Sequence, residues 1–182
     1  MAGFKFRKSI TGSLEQPTQL SLVGANSVVF QVGDLIRVNN AGRAALVTTG
    51  DLVLGVVTGV TDSSGQQAID PDSGTTDTYT MPSDNVTVAL RKVFYIPALP
   101  NYLFFNTADS AVTVADLFMY MAVNDEDQVD PGTKSDTVVD TVRLIEVDPD
   151  ATGTTGEGLF QISESFWATN GGGTVDTSGI EA

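Results

Sequence analysis

The chain has 182 residues, neither cysteine nor histidine, and a formal net charge of −14 from 23 acidic and 9 basic residues. Without these two residue types, Ser-His-Asp catalysis, Cys-His catalysis and disulfides are excluded, and the commonest zinc ligand is missing. So acidic a chain is a poor binder of nucleic-acid backbones, and no apolar run approaches the ~20 residues that span a bilayer. We therefore expect one domain that is not an enzyme, has no cofactor or metal, and has neither a nucleic-acid nor a membrane partner.

Residues 1–19 are predicted to be a low-order arm that precedes the folded domain, residues 20–170. Aromatic and basic residues alternate at its start, and Gly12, Ser13 and Pro17 then interrupt any regular element. One interpretation is a frayed terminus, and the other is a basic, aromatic arm that lies on an acidic partner surface. The residues that would make this contact are Phe4, Lys5, Phe6, Arg7, Lys8 and Ile10.

The middle of the first half contains short apolar runs separated by turn signals. Asn-Asn-Ala-Gly and Gly-Asp sequences favour tight turns, because Asn and Gly tolerate positive φ. Leu52–Val57 is apolar on both faces, so we expect a strand that is covered on two sides. The predicted strands of this region are Gln19–Val23, Ser27–Val32, Asp34–Val38, Ala44–Val47 and Leu52–Val57.

A long polar loop insertion, residues 61–84, follows, and loops of this length are either functional or disordered. Val86–Ile96 is predicted to be the strongest strand of the chain. Its neighbouring cations Arg91 and Lys92 would point to opposite faces. We therefore expect one of them to be partly covered and to have a carboxylate partner.

The second half is predicted to contain three further strands and a tail. Leu117–Val123 could be a strand or one short helix, and we favour a strand because of its aromatic content. Thr141–Val147 and Leu159–Trp167 are the other two predicted strands, and residues 171–182 are predicted to be a mobile tail. The pattern as a whole predicts an all-β protein, a small β-barrel or β-sandwich with an extended N-terminal arm and long polar loops.

Two groups of carboxylates are candidates for chemistry. The run Asn124–Asp130 could hold calcium, but Asp130 and Asp136 stand where an EF-hand loop requires Gly and Glu, so unspecific surface charge is the alternative. Glu146 and Glu164 are the carboxylates inside predicted strands, and a glycosidase could use such a pair. We expect them instead at outward-facing strand positions.

Three segments occur in an order that resembles the head decoration, or cement, proteins of tailed bacteriophages. They are Val32–Val38, Gly50–Val57 and the strand end Phe94–Pro97, and the resemblance covers roughly Gln31–Val123. It implies a β-barrel or β-sandwich virion protein, made in the host cytoplasm, that sits on the outer capsid surface as a trimer or dimer. It would bridge major capsid subunits and stabilise the shell, with the arm as its anchor. Deleting residues 1–12 is then expected to abolish capsid binding and to leave the fold intact.

Two alternative functions remain at this point. The first is a phage tail-tube or other head-tail β protein, which would form rings. The second is a carbohydrate-binding β-sandwich, in which Trp167, Tyr95 or Tyr102 would stack on a sugar ring.

Overall fold

The computed structural model describes residues 3–10, 17–48, 50–62, 64–69, 78–124, 127–137, 140–147 and 156–167. Over these residues the chain is all-β, as predicted, and every pairing between its strands is antiparallel. One α-helical turn, α1 (Asn85–Val88), and one 3-10 turn, Val114–Asp116, interrupt the strands. The strands are β1 (Lys5–Ser9), β2 (Leu20–Val23), β3 (Val29–Gln31), β4 (Leu35–Val38), β5 (Ala44–Leu46), β6 (Gly55–Val60), β7 (Thr78–Thr80), β8 (Lys92–Pro97), β9 (Tyr102–Ala108), β10 (Tyr120–Asn124), β11 (Gln128–Ser135), β12 (Val142–Val147) and β13 (Gly156–Ile162).

The strands form two large sheets and one small one. The six-stranded sheet has the order β1-β9-β13-β12-β10-β11, and the five-stranded sheet has the order β2-β8-β6-β4-β5. The small sheet pairs β3 with β7. The two large sheets share one hydrophobic core, as in a β-sandwich, and no closed barrel is formed by the described residues.

The centre of the five-stranded sheet is buried on both faces because the side chains of β4 and β6 alternate between two cores. In β4, Leu35 lies in the core between the two large sheets, and Ile36 lies in a second core. In β6, Val56 lies in the core between the two large sheets, and Val57 lies in the second core. The second core is closed by β3, β7 and α1. The prediction that the apolar run Leu52–Val57 is covered on two sides is confirmed, but the strand itself, β6, begins at Gly55 and extends to Val60.

The prediction of a low-order N-terminal arm is wrong for residues 3–10. Residues 5–9 are extended, but they form β1 and pair with β9. Phe4 is only 1% exposed and belongs to the core between the large sheets, and its backbone N–H donates to the Gly33 carbonyl at 2.9 Å. The alternation of aromatic and basic residues that indicated an arm is the pattern of an amphipathic edge strand. Deleting residues 1–12 would therefore remove the core side chain of Phe4. We now expect this deletion to destabilise the fold.

The prediction of a strong strand over Val86–Ile96 is confirmed only for its second half. Only its second half is a strand, β8, whereas residues 85–88 form α1. The side chain of Asp84 accepts a hydrogen bond from the Thr87 N–H at 2.7 Å, which is an N-cap. Strand propensity in this segment is thus overridden by a local capping interaction.

The partner expected for Arg91 or Lys92 is also different. Arg91 donates from Nε to the Tyr79 hydroxyl at 2.5 Å and from Nη1 to the Thr87 carbonyl at 2.7 Å. Among the described residues, no carboxylate forms an ion pair with either cation. A tyrosine hydroxyl and a backbone carbonyl therefore accept the hydrogen bonds of the Arg91 guanidinium.

Several other boundaries differ from the prediction. The strands predicted over residues 117–123 and 141–147 are confirmed as β10 and β12, whereas that predicted over residues 159–167 begins earlier and ends at Ile162. The polar insertion, residues 61–84, includes β7 and the buried side chains of Ile69 and Met81. Residues 70–77 and the predicted tail, residues 171–182, lie outside the described residues.

Candidate binding face

The face of the six-stranded sheet that points away from the core can be followed from the strand register. Lys5 lies opposite Phe105, Phe105 opposite Leu159, and Leu159 opposite Glu146. Opposed residues of an antiparallel pair share one face of the sheet. None of these four belongs to the core, whereas the next residue along β9, Phe104, does. They form one row across β1, β9, β13 and β12.

A second row lies beside the first. Tyr120 of β10 is opposite Arg143 of β12, and Arg143 is opposite Gln161 of β13. Together the two rows form an outward surface, which we call the basic face. It is defined by Lys5, Arg7, Lys8, Phe105, Tyr120 and Arg143.

The basic face differs in charge from the rest of the chain. Among the described residues of this outward face, four are basic, and three are acidic, which are Asp130, Glu146 and Glu157. Among the described residues, Lys5, Arg7 and Arg143 form no ion pair. Over the described residues the face therefore has one more basic than acidic residue, on a molecule whose net charge is −14.

One ion pair crosses the basic face. Lys8 Nζ lies 2.7 Å from Glu146 Oε2, although β9 and β13 separate the strands that carry them. Both side chains are well exposed, so water screens the pair and its contribution to stability is small. Its main effect is to hold Lys8 over the sheet.

Two arginines of the basic face stack on aromatic rings. The guanidinium carbon of Arg7 lies 5.4 Å from the centre of the Phe105 ring. That of Arg143 lies 5.3 Å from the Tyr120 ring centre and 5.4 Å from the Phe118 ring centre. Arg143 Nε also donates to the Phe118 carbonyl at 3.0 Å. Cation–π contacts and this hydrogen bond fix the guanidinium plane of Arg143.

Phe118 comes from the loop that joins the 3-10 turn to β10. The Asp116 carboxylate accepts from the Thr113 N–H and hydroxyl, both at 2.9 Å, and from Lys134 Nζ at 2.6 Å. Burial opposes the charge of Asp116, but Lys134 and Thr113 outweigh it and hold the pKa of that carboxyl below its usual value. The Phe118 N–H donates to the Leu144 carbonyl at 2.8 Å, which fixes the loop to β12.

The predicted arm residues are divided by the structure. Lys5, Arg7 and Lys8 lie on the basic face, whereas Phe4 is buried and cannot reach a partner. Phe6 is half-buried and packs edge-to-face on Tyr102 and Phe104, with ring centres 4.9 and 6.0 Å apart. Ile10 is 55% exposed beyond the end of β1.

Sequence reasoning missed Phe105, Tyr120, Arg143 and Phe118 as candidates for this site. Arg143 was detectable in principle, because it occupies an outward position in a cleanly alternating strand. The others depend on long-range strand order, which a single sequence does not give. Phe118 carried no local signal at all, since its φ of +68° is a property of the folded loop.

The two carboxylates predicted to face outward behave differently. Glu146 is exposed on β12, as predicted. Glu164 is half-buried just beyond β13 and accepts from the Thr141 hydroxyl at 3.3 Å. Burial, together with the charges of Asp140 and Asp51, raises the pKa of Glu164 above its usual value.

The Asn124–Asp130 run is described only in part, because residues 125 and 126 lie outside the described residues. Within the part of the chain that is described, no three His, Cys, Asp or Glu residues come together as metal ligands. Asp130 instead accepts from the Gly132 N–H at 2.8 Å. This contact uses the carboxylate to shape the backbone of β11.

The three aromatic residues considered for sugar stacking have other roles. Tyr95 is 5% exposed and lies in the second core. Trp167 donates from Nε1 to the Leu54 carbonyl at 2.6 Å and packs against both cores. Tyr102 is half-buried against Phe6. Burial removes Tyr95 from consideration, and the other two do not favour a sugar platform.

Comparisons of the chain with protein-family models, with curated proteins and with solved structures give no match. Within the described ranges, no helix has the length and apolar character needed to cross a membrane.

Proposed function

We propose that the protein is a structural virion protein, a capsid decoration or cement protein that binds the outer surface of a phage head and bridges major capsid subunits. It binds through the basic face. The observation that carries this proposal is the concentration of four of nine basic residues on one sheet face of a chain with net charge −14. The resemblance of residues 31–123 to head decoration proteins supplies the identity of the partner.

The charge distribution supports docking in one orientation. An acidic body repels other acidic surfaces, whereas a net-positive face is attracted to them, so the field of the molecule favours approach by that face. The partner surface that fits is therefore acidic. Self-association as a trimer or dimer comes from the resemblance alone and is part of the same proposal.

The side chains of the basic face also suit an interface. Arginine and aromatic residues are the types that contribute most binding energy at protein contacts, and here they lie together in two stacked groups. Phe105, Tyr120 and Arg143 are on strands of one continuous sheet, which holds them more precisely than a loop would.

The experiment is co-sedimentation of purified protein with emptied, expanded heads of the phage whose genome encodes the chain. Two exposed strand lysines give a matched pair of variants, since Lys5 lies on the basic face and Lys92 on the other large sheet. Lys5→Glu should weaken binding by about tenfold, and Lys92→Glu should leave it near the wild-type level. High salt should weaken wild-type binding, because exposed charges are screened.

Equal effects of the two substitutions, or no binding of the wild-type protein to heads, would contradict the proposal. Binding to isolated tails together with ring formation by the protein alone would also contradict it, and would favour the tail-tube alternative. Thermal unfolding of each variant shows whether a loss of binding comes from a loss of fold.

A further inference from the structure

We propose that Arg143, Phe118 and Tyr120 form a carboxylate-binding site that takes an Asp or Glu side chain from an extended acidic segment of the partner protein. This inference rests on the proposed function for the surface involved, and it adds the chemistry that the surface recognises. Arg143 supplies the hydrogen bonds, and the two rings supply orientation and apolar contact.

The geometry of Arg143 leaves its outer edge available. Its Nε is used by the Phe118 carbonyl, and its plane is fixed by the Phe118 and Tyr120 rings. Among the described residues, nothing accepts a hydrogen bond from its two Nη nitrogens, although the chain has 23 acidic residues. A planar guanidinium with free Nη groups binds a carboxylate through two parallel hydrogen bonds. Because it is already held in place, it loses little freedom on binding.

Phe118 has a conformation and an exposure that folding alone does not favour. It is 56% exposed, and with Ser27 it is one of two non-glycine residues with positive φ among those described. Such strain persists where the surrounding structure imposes it, and it concentrates at functional sites. Here it places the ring and the carbonyl of Phe118 against the same guanidinium. An exposed, strained aromatic ring beside a stacked arginine fits a contact residue.

The occupant is a protein carboxylate and not a polyphosphate or a nucleic acid. The site holds one arginine beside two rings, and the described residues of the basic face include only one more cation than carboxylates, whereas phosphate backbones need clustered positive charge. Three strand spacings, about 14 Å, separate β12 from β1. An extended segment of about five residues spans this distance, so further carboxylates of the same segment can meet Lys5 and Arg7.

The test is an NMR titration of the full chain with a capped peptide of alternating Glu and Gly, and with the matching peptide of Gln and Gly. We expect the Glu peptide to shift the resonances of Arg143, Tyr120 and Phe118, and the Gln peptide to bind about tenfold more weakly. Arg143→Lys keeps the charge but removes the planar fork, and it should weaken Glu-peptide binding by about tenfold. Lys92→Gln removes a charge from the other large sheet and should change binding by less than about twofold.

Equal binding of the two peptides, wild-type affinity in Arg143→Lys, or tighter binding of inorganic phosphate than of the Glu peptide would overturn the inference. The head-binding experiment separates this result from the proposed function. Peptide binding that depends on Arg143, without binding to heads, leaves the carboxylate site standing and removes the decoration role. If the protein binds heads equally well with Arg143→Lys and does not bind the peptide, the decoration role stands and the carboxylate site is rejected.

Discussion

Phe118 is a residue at which the requirements of folding and of binding differ. Its φ of +68° places an aromatic side chain in the left-handed region, where a Cβ atom costs roughly 1–2 kcal/mol. Glycine would avoid that cost, but it would lose the ring that stacks on Arg143. The carboxylate-binding role proposed for this ring would account for a phenylalanine at a strained position.

A pair of substitutions measures this strain. Phe118→Gly and Phe118→Ala both remove the ring, but only glycine relieves the backbone. We expect Phe118→Gly to be more stable than Phe118→Ala by about 1 kcal/mol, the reverse of the usual order of these two residues. Denaturant unfolding measures the difference in the free energy of unfolding, provided that the two variants have equal m-values. An alanine variant as stable as the glycine variant would show that the loop relaxes and stores no strain.

Glu164 is a second residue whose environment makes a measurable prediction. Its folded-state pKa is raised, chiefly by burial, so folding favours the protonated form and the ionised form is destabilising at neutral pH. Glu164→Gln keeps an acceptor for the Thr141 hydroxyl and removes the charge. It should stabilise the protein at pH 7 by on the order of 1 kcal/mol or less, since water partly screens this half-buried group.

The pH dependence gives the sign of this effect. The gain from Glu164→Gln should be full above the raised pKa and should disappear as the pH falls through it toward the usual value of 4.5. Thermal unfolding of both proteins across this range measures the difference. A gain that is constant with pH would mean that the charge of Glu164 is not the cause.

At the scale of elements, β1 pairs with β9, and the residues just before it, Gly3 and Phe4, contact the turn between β3 and β4. Gly3 and Gly33 pack backbone to backbone, and a Cβ atom on Gly33 would lie 2.8 Å from the Gly3 Cα. Gly33 also has a φ of +101° and donates its N–H to the Val57 carbonyl at 2.9 Å. One glycine thus connects the N-terminal strand to the centre of the five-stranded sheet.

Substitution of Gly33 tests this joint. Gly33→Ala should destabilise the protein by about 2–4 kcal/mol, because strain at positive φ and steric overlap add. Gly42→Ala is the control, since Gly42 also has positive φ, +70°, but has no atom near its Cβ position, and it should cost only about 1 kcal/mol. Chemical denaturation measures both. Similar losses in the two variants would mean that the contact with Gly3 is unimportant.

The elements show which parts of this fold could be predicted from the sequence. β2 to β6 were predictable because their apolar runs are bounded by Asn, Gly and Asp turns, whose conformational preferences are local. β11 was missed because its sequence, QVDPGTKS, has little strand propensity and depends on pairing with β10. β1 was placed wrongly for the same reason, since its partner, β9, lies about a hundred residues further along the chain. The basic face could not be predicted because it combines four distant strands.

At the scale of the whole molecule, charge and burial are divided between the two large sheets. The central strands of the five-stranded sheet, β4 and β6, contribute side chains to both cores, so among the described residues little of the centre of this sheet is open to a partner. The six-stranded sheet has one face in the core and one that is outward, and that outward face is the net-positive surface of an acidic chain. The architecture therefore offers one broad sheet face for docking.

Electron cryomicroscopy of phage heads saturated with the purified protein tests whether the basic face docks on the capsid. We predict additional density on the outside of the shell, into which the chain fits with its six-stranded sheet toward the capsid and Arg143 beside an acidic side chain of the major capsid protein. Density in which the basic face points to solvent, or heads that acquire no additional density, would contradict it.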